Sequence, residues 1–228
     1  MTAPHLLFTF ETFVSDELDY LVAQAKTGLT DEDKKRGVAL LTEVYCGLLD
    51  MCYAQLLEKV NAKHPVKSLE EAHAILKEIE SKSRHYMSWV TPFLAKEKVV
   101  KVIGYFDGMV TRPTTGTDEK PYARLRIDEK VASEGLIILK DLLSGKSQDI
   151  EKGIELLIKA TDAVIEQLVE EPKRVMKFNI VVDKTLGGVI ALLKGIGHGI
   201  IRKIGRQLPD DAFPTVAEHL MIFIQEEK

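Results

Sequence analysis

The chain has 228 residues, 45% of them hydrophobic, and a formal charge of −4. That apolar content suffices for a buried core of ordinary size in one domain spanning 1–228. The charge is uneven: residues 173–206 hold eight Lys/Arg against one Asp, or +7, leaving −11 elsewhere. An acidic remainder excludes a general nucleic-acid binder, although the basic segment would meet phosphates locally.

The opening MTAPHLLFTFETF lacks the basic start and long apolar run of a secretory signal, so a cytoplasmic location is expected. Cys46 and Cys52 are the only cysteines. Six residues apart on one helix they point about 120° from each other and cannot bridge, so free thiols are expected.

From Glu11 to Lys26, Val14, Leu18, Leu21, Val22 and Ala25 recur at helical spacing, with Ser15 or Thr12 as cap. Gly28 ends this helix. Thr30, followed by Asp31, Glu32 and Asp33, opens the next, because a hydroxyl and early acids suit a helix N-terminus. That helix runs to about Asn61 on a stripe of Val38, Leu41, Tyr45, Leu48, Leu49, Cys52, Leu56 and Val60, and His64-Pro65 closes it. Ser68 and Glu71 have capping-box spacing for another helix, which Thr91-Pro92 breaks.

Residues 97–127 fit two templates. Val99, Ile103, Phe106 and Val110 make a helical stripe, yet KVVKVIGYF is rich in branched and aromatic residues and Asp107-Gly108 is a hairpin signal. RPTTGTDEKP is irregular, and PYARLRI alternates like a strand. Helices return with Val131, Leu136, Ile138, Leu139 and Leu142 ahead of Gly145, then from Ser147 and Ile150 to Val169, with Pro172 as the boundary. KRVMKFNIVVD fits a short helix or a strand. Pro209 and Pro214 bracket a polar loop before a last short helix carrying Val216, Leu220, Ile222, Phe223 and Ile224. The chain reads as mainly all-α, a helical bundle of six to eight helices with a small β-hairpin near 97–127.

Lys184–Arg206 is the most unusual stretch. At about 100° per residue, Leu186, Val189, Ile190, Leu192, Leu193, Ile196, Ile200, Ile201 and Ile204 share one broad arc. Lys194, His198 and Arg202 recur every four residues as a cationic edge that Arg206 continues, and Gly188, Gly195 and Gly199 form a third band. Each glycine within a helix costs roughly 0.5–1 kcal/mol relative to alanine, so the band implies close approach of another backbone or of a flat ligand. A central core helix would show the same arc.

Glu70 and His73 have the Glu-x-x-His spacing of di-iron bundles, but no second copy occurs, so a solvated face accounts for them better. His85, His198 and His219 lie on different helices, where convergence on a metal or haem would require the fold to gather them. Asp210-Asp211 suits a helix cap. The chain has no Gly-x-Ser-x-Gly elbow, Walker loop, Gly-x-Gly-x-x-Gly turn, Cys-x-x-Cys or His-Glu-x-x-His.

The expected function is therefore non-enzymatic binding of an apolar ligand or lipid surface, with Gly188, Lys194, Gly195, His198, Gly199 and Arg202 as candidate binding residues. Its partners would be a lipid or apolar small molecule, met within the cytoplasm or at a membrane surface. Two alternatives stand beside it: a self-assembling helical protein whose glycines form a helix contact, and a metal or haem enzyme using His198 or His73. No cofactor is specified by the residues.

Overall fold

A computed structural model describes residues 5–112, 120–146 and 149–225. Most of them are helical. α1 (Thr12–Thr27) ends at Gly28, whose φ of 108° favours glycine, and Thr30 then caps α2 (Asp31–Leu49). The capping box closes through Asp33: its backbone N–H donates to Thr30 Oγ1 at 3.1 Å, and its carboxylate accepts from Thr30 N at 2.9 Å. α2 passes through one wide π-helical turn, Asp50–Ala54, into α3 (Gln55–Lys63), so that 31–63 is a single helical run. By length and apolarity this run would suffice to cross a membrane, and here it carries buried Leu48, Leu56, Leu57 and Val60 in the core.

α4 (Lys67–Val90) starts without a side-chain cap, so the Ser68–Glu71 capping box does not form. Ser68 lies inside the first turn and is buried instead. Thr91-Pro92 ends α4 in a short 3₁₀ turn, as the proline requires. The two templates for 97–127 both apply, in succession: α5 occupies Lys96–Asp107, and β2 (Val110–Thr111) pairs antiparallel with β3 (Tyr122–Arg126). The irregular segment between them falls mostly on 113–119, outside the described residues, as does Ser147.

The hairpin belongs to a larger sheet. β1 (His5–Thr9) and β4 (Ile224–Gln225) extend it in the order β2-β3-β1-β4, all antiparallel. Leu6, Phe8 and Phe10 alternate inward along the N-terminal segment, a period-two pattern that marks a strand. The last helix expected to reach Ile224 stops earlier: α10 covers Phe213–Met221, and the chain turns at Ile222-Phe223 into β4.

α6 (Glu129–Leu143) is capped by Asp128 and closed by Gly145 at a φ of 82°. α7 (Ile150–Ile165) continues through a second π-helical turn, Glu166–Glu170, into α8 (Glu171–Met176). Pro172 is therefore not a boundary but sits buried in the first turn of α8. Its missing N–H leaves Gln167 O, five residues earlier, short of a partner in π register, and the Tyr105 hydroxyl lies 2.7 Å from that oxygen. Gln167 also completes the edge of β3: its Oε1 accepts from Arg126 N and its Nε2 donates to Arg126 O, both at 2.8 Å.

KRVMKFNIVVD contains the end of α8, a left-handed turn at Lys177, and the start of the 28-residue α9 (Ile180–Gln207). Asn179 caps α9 by accepting from Val181 N and Val182 N, so the helix begins four residues before Lys184.

Candidate functional site

The cationic edge of α9 runs along α7 and the π-helical turn that follows it, with each basic group beside an acid and the Arg202 and Arg206 end still open to solvent. Arg206 donates Nε and Nη2 to Glu151 at 2.9 and 3.0 Å, Arg202 meets Glu155 at 3.3 Å, His198 Nε2 lies 2.9 Å from Asp162, and Lys194 lies 2.5 Å from Glu170. Antiparallel helices with basic residues on one edge and acids on the other produce this ladder. Arg206 holds Glu151 below the usual carboxylate range, and Lys194 does the same for Glu170. The acids offset the charge of this edge locally, and the pairs at Arg202 and Arg206 lie at the surface. The +7 segment was legible in sequence; its acidic complement four and seven residues apart on the preceding helix was the signal passed over.

The glycine band does not make a cradle. Gly188, Gly195 and Gly199 are exposed, and a Cβ built on any of them meets nothing within 4 Å among the described residues. Close approach occurs six residues beyond the band, at Gly205, where a Cβ would lie 2.6 Å from Ile154 of α7. Of the expected residues, Lys194, His198 and Arg202 are brought together as partners of α7 and the π-helical turn after it, and the three glycines remain on the outer face.

The opposite face of α9 borders an interior cavity of about 250 Å³. β1 contributes Leu6 and Phe8, the 31–63 run contributes Tyr53 and Leu56, and α4, α6, α7, α9 and α10 complete the wall. No lining residue carries a formal charge, and Tyr45, Cys52, Tyr53 and Thr161 are the lining side chains with polar atoms. Gly197 and Gly135 face this space, and a Cβ on either meets nothing within 4 Å. Tyr53 is half-buried and lines the cavity.

Both π-helical turns border the cavity, through Cys52 and Tyr53 on one and Leu168 and Val169 on the other. Such turns widen a helix by one residue and rotate the side chains that follow. Each has a carbonyl met from another element: Gln167 O lies 2.7 Å from the Tyr105 hydroxyl, whose one proton it shares with Glu171 Oε2 at 2.6 Å, and Met51 O accepts from His219 Nε2–H at 2.9 Å. His219 is 2% exposed, and its Nδ1 accepts from Lys59 Nζ at 3.1 Å, which fixes the neutral tautomer. Burial, with Lys59 adding to it, holds its pKa below the usual histidine value.

Within the cavity, Thr161 Oγ1 donates to Leu157 O at 2.8 Å, so the 2.5 Å contact between Tyr53 Oη and Thr161 Oγ1 uses the phenol proton. Burial pushes the Cys52 thiol up to about 12, and the Tyr53 phenol also lies above its usual range, so both are neutral groups. Cys46 and Cys52 are free thiols.

The histidines do not converge: His198 pairs with Asp162 and His219 with Met51 and Lys59. Among the described residues no group of three or more His, Cys, Asp or Glu is gathered as a metal site. Periodicity missed the cavity because buried packing and cavity lining impose the same apolar stripe; Gly135, Gly153, Ala160, Gly197 and Gly205 along its wall were the available sign. Comparison of the chain with protein-family models, with curated proteins and with solved structures finds no match.

Proposed function

We propose that this protein binds a small apolar molecule in the interior cavity bordered by α9. The observation that carries the reading is a space of about 250 Å³ walled without a single charged side chain. An engineered apolar cavity of about 150 Å³ stays dry and takes up benzene, so this one has room for roughly ten non-hydrogen atoms. Apolar wall left without packing partners forfeits dispersion contacts that a bound apolar molecule would restore. Helical glycines at positions 135 and 197 enlarge that space at a further cost in helix propensity.

1-Octanol is a probe of suitable size. Present at a hundred times its dissociation constant, it would add about 2.7 kcal/mol to the unfolding free energy and raise the melting temperature accordingly. Gly197→Leu points a side chain into open space, so it should fold at least as stably as the parent while abolishing the octanol-dependent rise. An unchanged melting temperature for the parent protein in octanol, or a rise that persists in Gly197→Leu, would count against the cavity as a binding site.

A further inference from the structure

We infer that the ligand is a neutral apolar molecule carrying one hydrogen-bond donor, a hydroxyl or N–H, which it gives to Tyr53 Oη. This rests on the reading of the cavity as a binding site and specifies the chemistry it selects. The only proton on Tyr53 Oη points to Thr161 Oγ1, because Thr161 has already given its own to Leu157 O. Tyr53 therefore offers lone pairs, and no proton, to whatever lies beside it. Besides Tyr53 and Thr161, the wall offers the Tyr45 hydroxyl and the Cys52 thiol, a weak donor, as polar side-chain groups. Beside Tyr53 and Thr161, a ligand carbonyl or ether oxygen would lose its water partners and find no proton to accept.

A carboxylate fares worse. No Lys, Arg or His borders the cavity, so an ionised head would be desolvated without a counter-charge. A hydroxyl on a chain or ring of roughly ten non-hydrogen atoms meets both constraints: its apolar body fills the space and its proton restores the one bond Tyr53 lacks.

Calorimetric titration of the whole protein at pH 8 with 1-octanol, methyl octyl ether and octanoate separates the possibilities. These share an eight-carbon chain and differ in the head. Octanol should bind about fivefold tighter than the ether, as one neutral hydrogen bond allows, and octanoate about a hundredfold or more weaker than octanol. In Tyr53→Phe octanol should fall to the affinity of the ether, with the ether unchanged. Thr161→Val frees the Tyr53 proton, so there the ether should gain affinity, a change that a merely structural role for Tyr53 would not give. Equal binding of octanol and ether to the parent, octanoate binding as well as octanol, or a uniform loss across all three in Tyr53→Phe overturns the donor inference while leaving the cavity a binding site. Absence of binding by all three overturns both.

Discussion

His219 is where a single residue ties the cavity to the conditions around it. Its neutral ring holds the first π-helical turn at Met51 through Nε2–H, accepts from Lys59 at Nδ1, and stacks edgewise on Phe223, a cavity-wall residue, at 5.5 Å. Protonating Nδ1 would set a positive charge against the Lys59 ammonium and end that bond. Because burial lowers the folded pKa below the ordinary 6.5, the unfolded chain takes up a proton first as pH falls. The stabilisation is complete above about 6.5 and is lost as pH drops from there toward the depressed folded value. Denaturant titrations between pH 7.5 and 5 should show stability falling with acid, and His219→Gln should flatten the slope in this window; an unchanged slope would mean that other groups govern it. The ion pairs of Glu151 and Glu170 act at lower pH, since their depressed carboxylates protonate only in stronger acid.

Among the elements, α9 shows most clearly what the sequence carried. Its helical state, its cationic edge and its wide apolar arc were all legible from spacing, because each is a property of one helix taken alone. Which face turned inward was not, since that depends on the acids of α7 and the π-helical turn after it meeting Lys194, His198, Arg202 and Arg206. The glycines divide accordingly. Replacing Gly188, Gly195 or Gly199 with alanine should stabilise the fold by about 0.5–1 kcal/mol each, because the new methyl meets nothing. Gly205→Ala should instead destabilise by about 1–2 kcal/mol, because Ile154 must shift by the overlap of a 2.6 Å contact. Equilibrium denaturation of the four variants tests the contrast in sign; destabilisation at 188, 195 and 199 would show that something does cover the outer face. For the rest of the chain, the helices were recoverable from periodicity. The β1 strand was missed because five residues of alternation are brief, and Pro172 misled because a proline normally ends a helix unless a widened turn and an outside donor take over.

For the molecule as a whole, an interior void makes the folded state larger than its atoms require, and pressure reads that directly. Unfolding removes the void, so the parent protein should unfold under pressure with a larger volume decrease than Gly197→Leu, in which the space is partly filled. Equal volume changes in high-pressure fluorescence would indicate that the leucine does not enter the cavity. The sheet on one side of that space has a different consequence. β1 lies between β3 and β4, with His5 opposite both Arg126 and Gln225. Phe223 and Ile224, beside β4, form part of the wall. The β1–β4 pairing joins segments far apart in sequence, so a long loop must close before it can form. The part of the wall that Phe223 and Ile224 supply is therefore completed only when that late pairing forms.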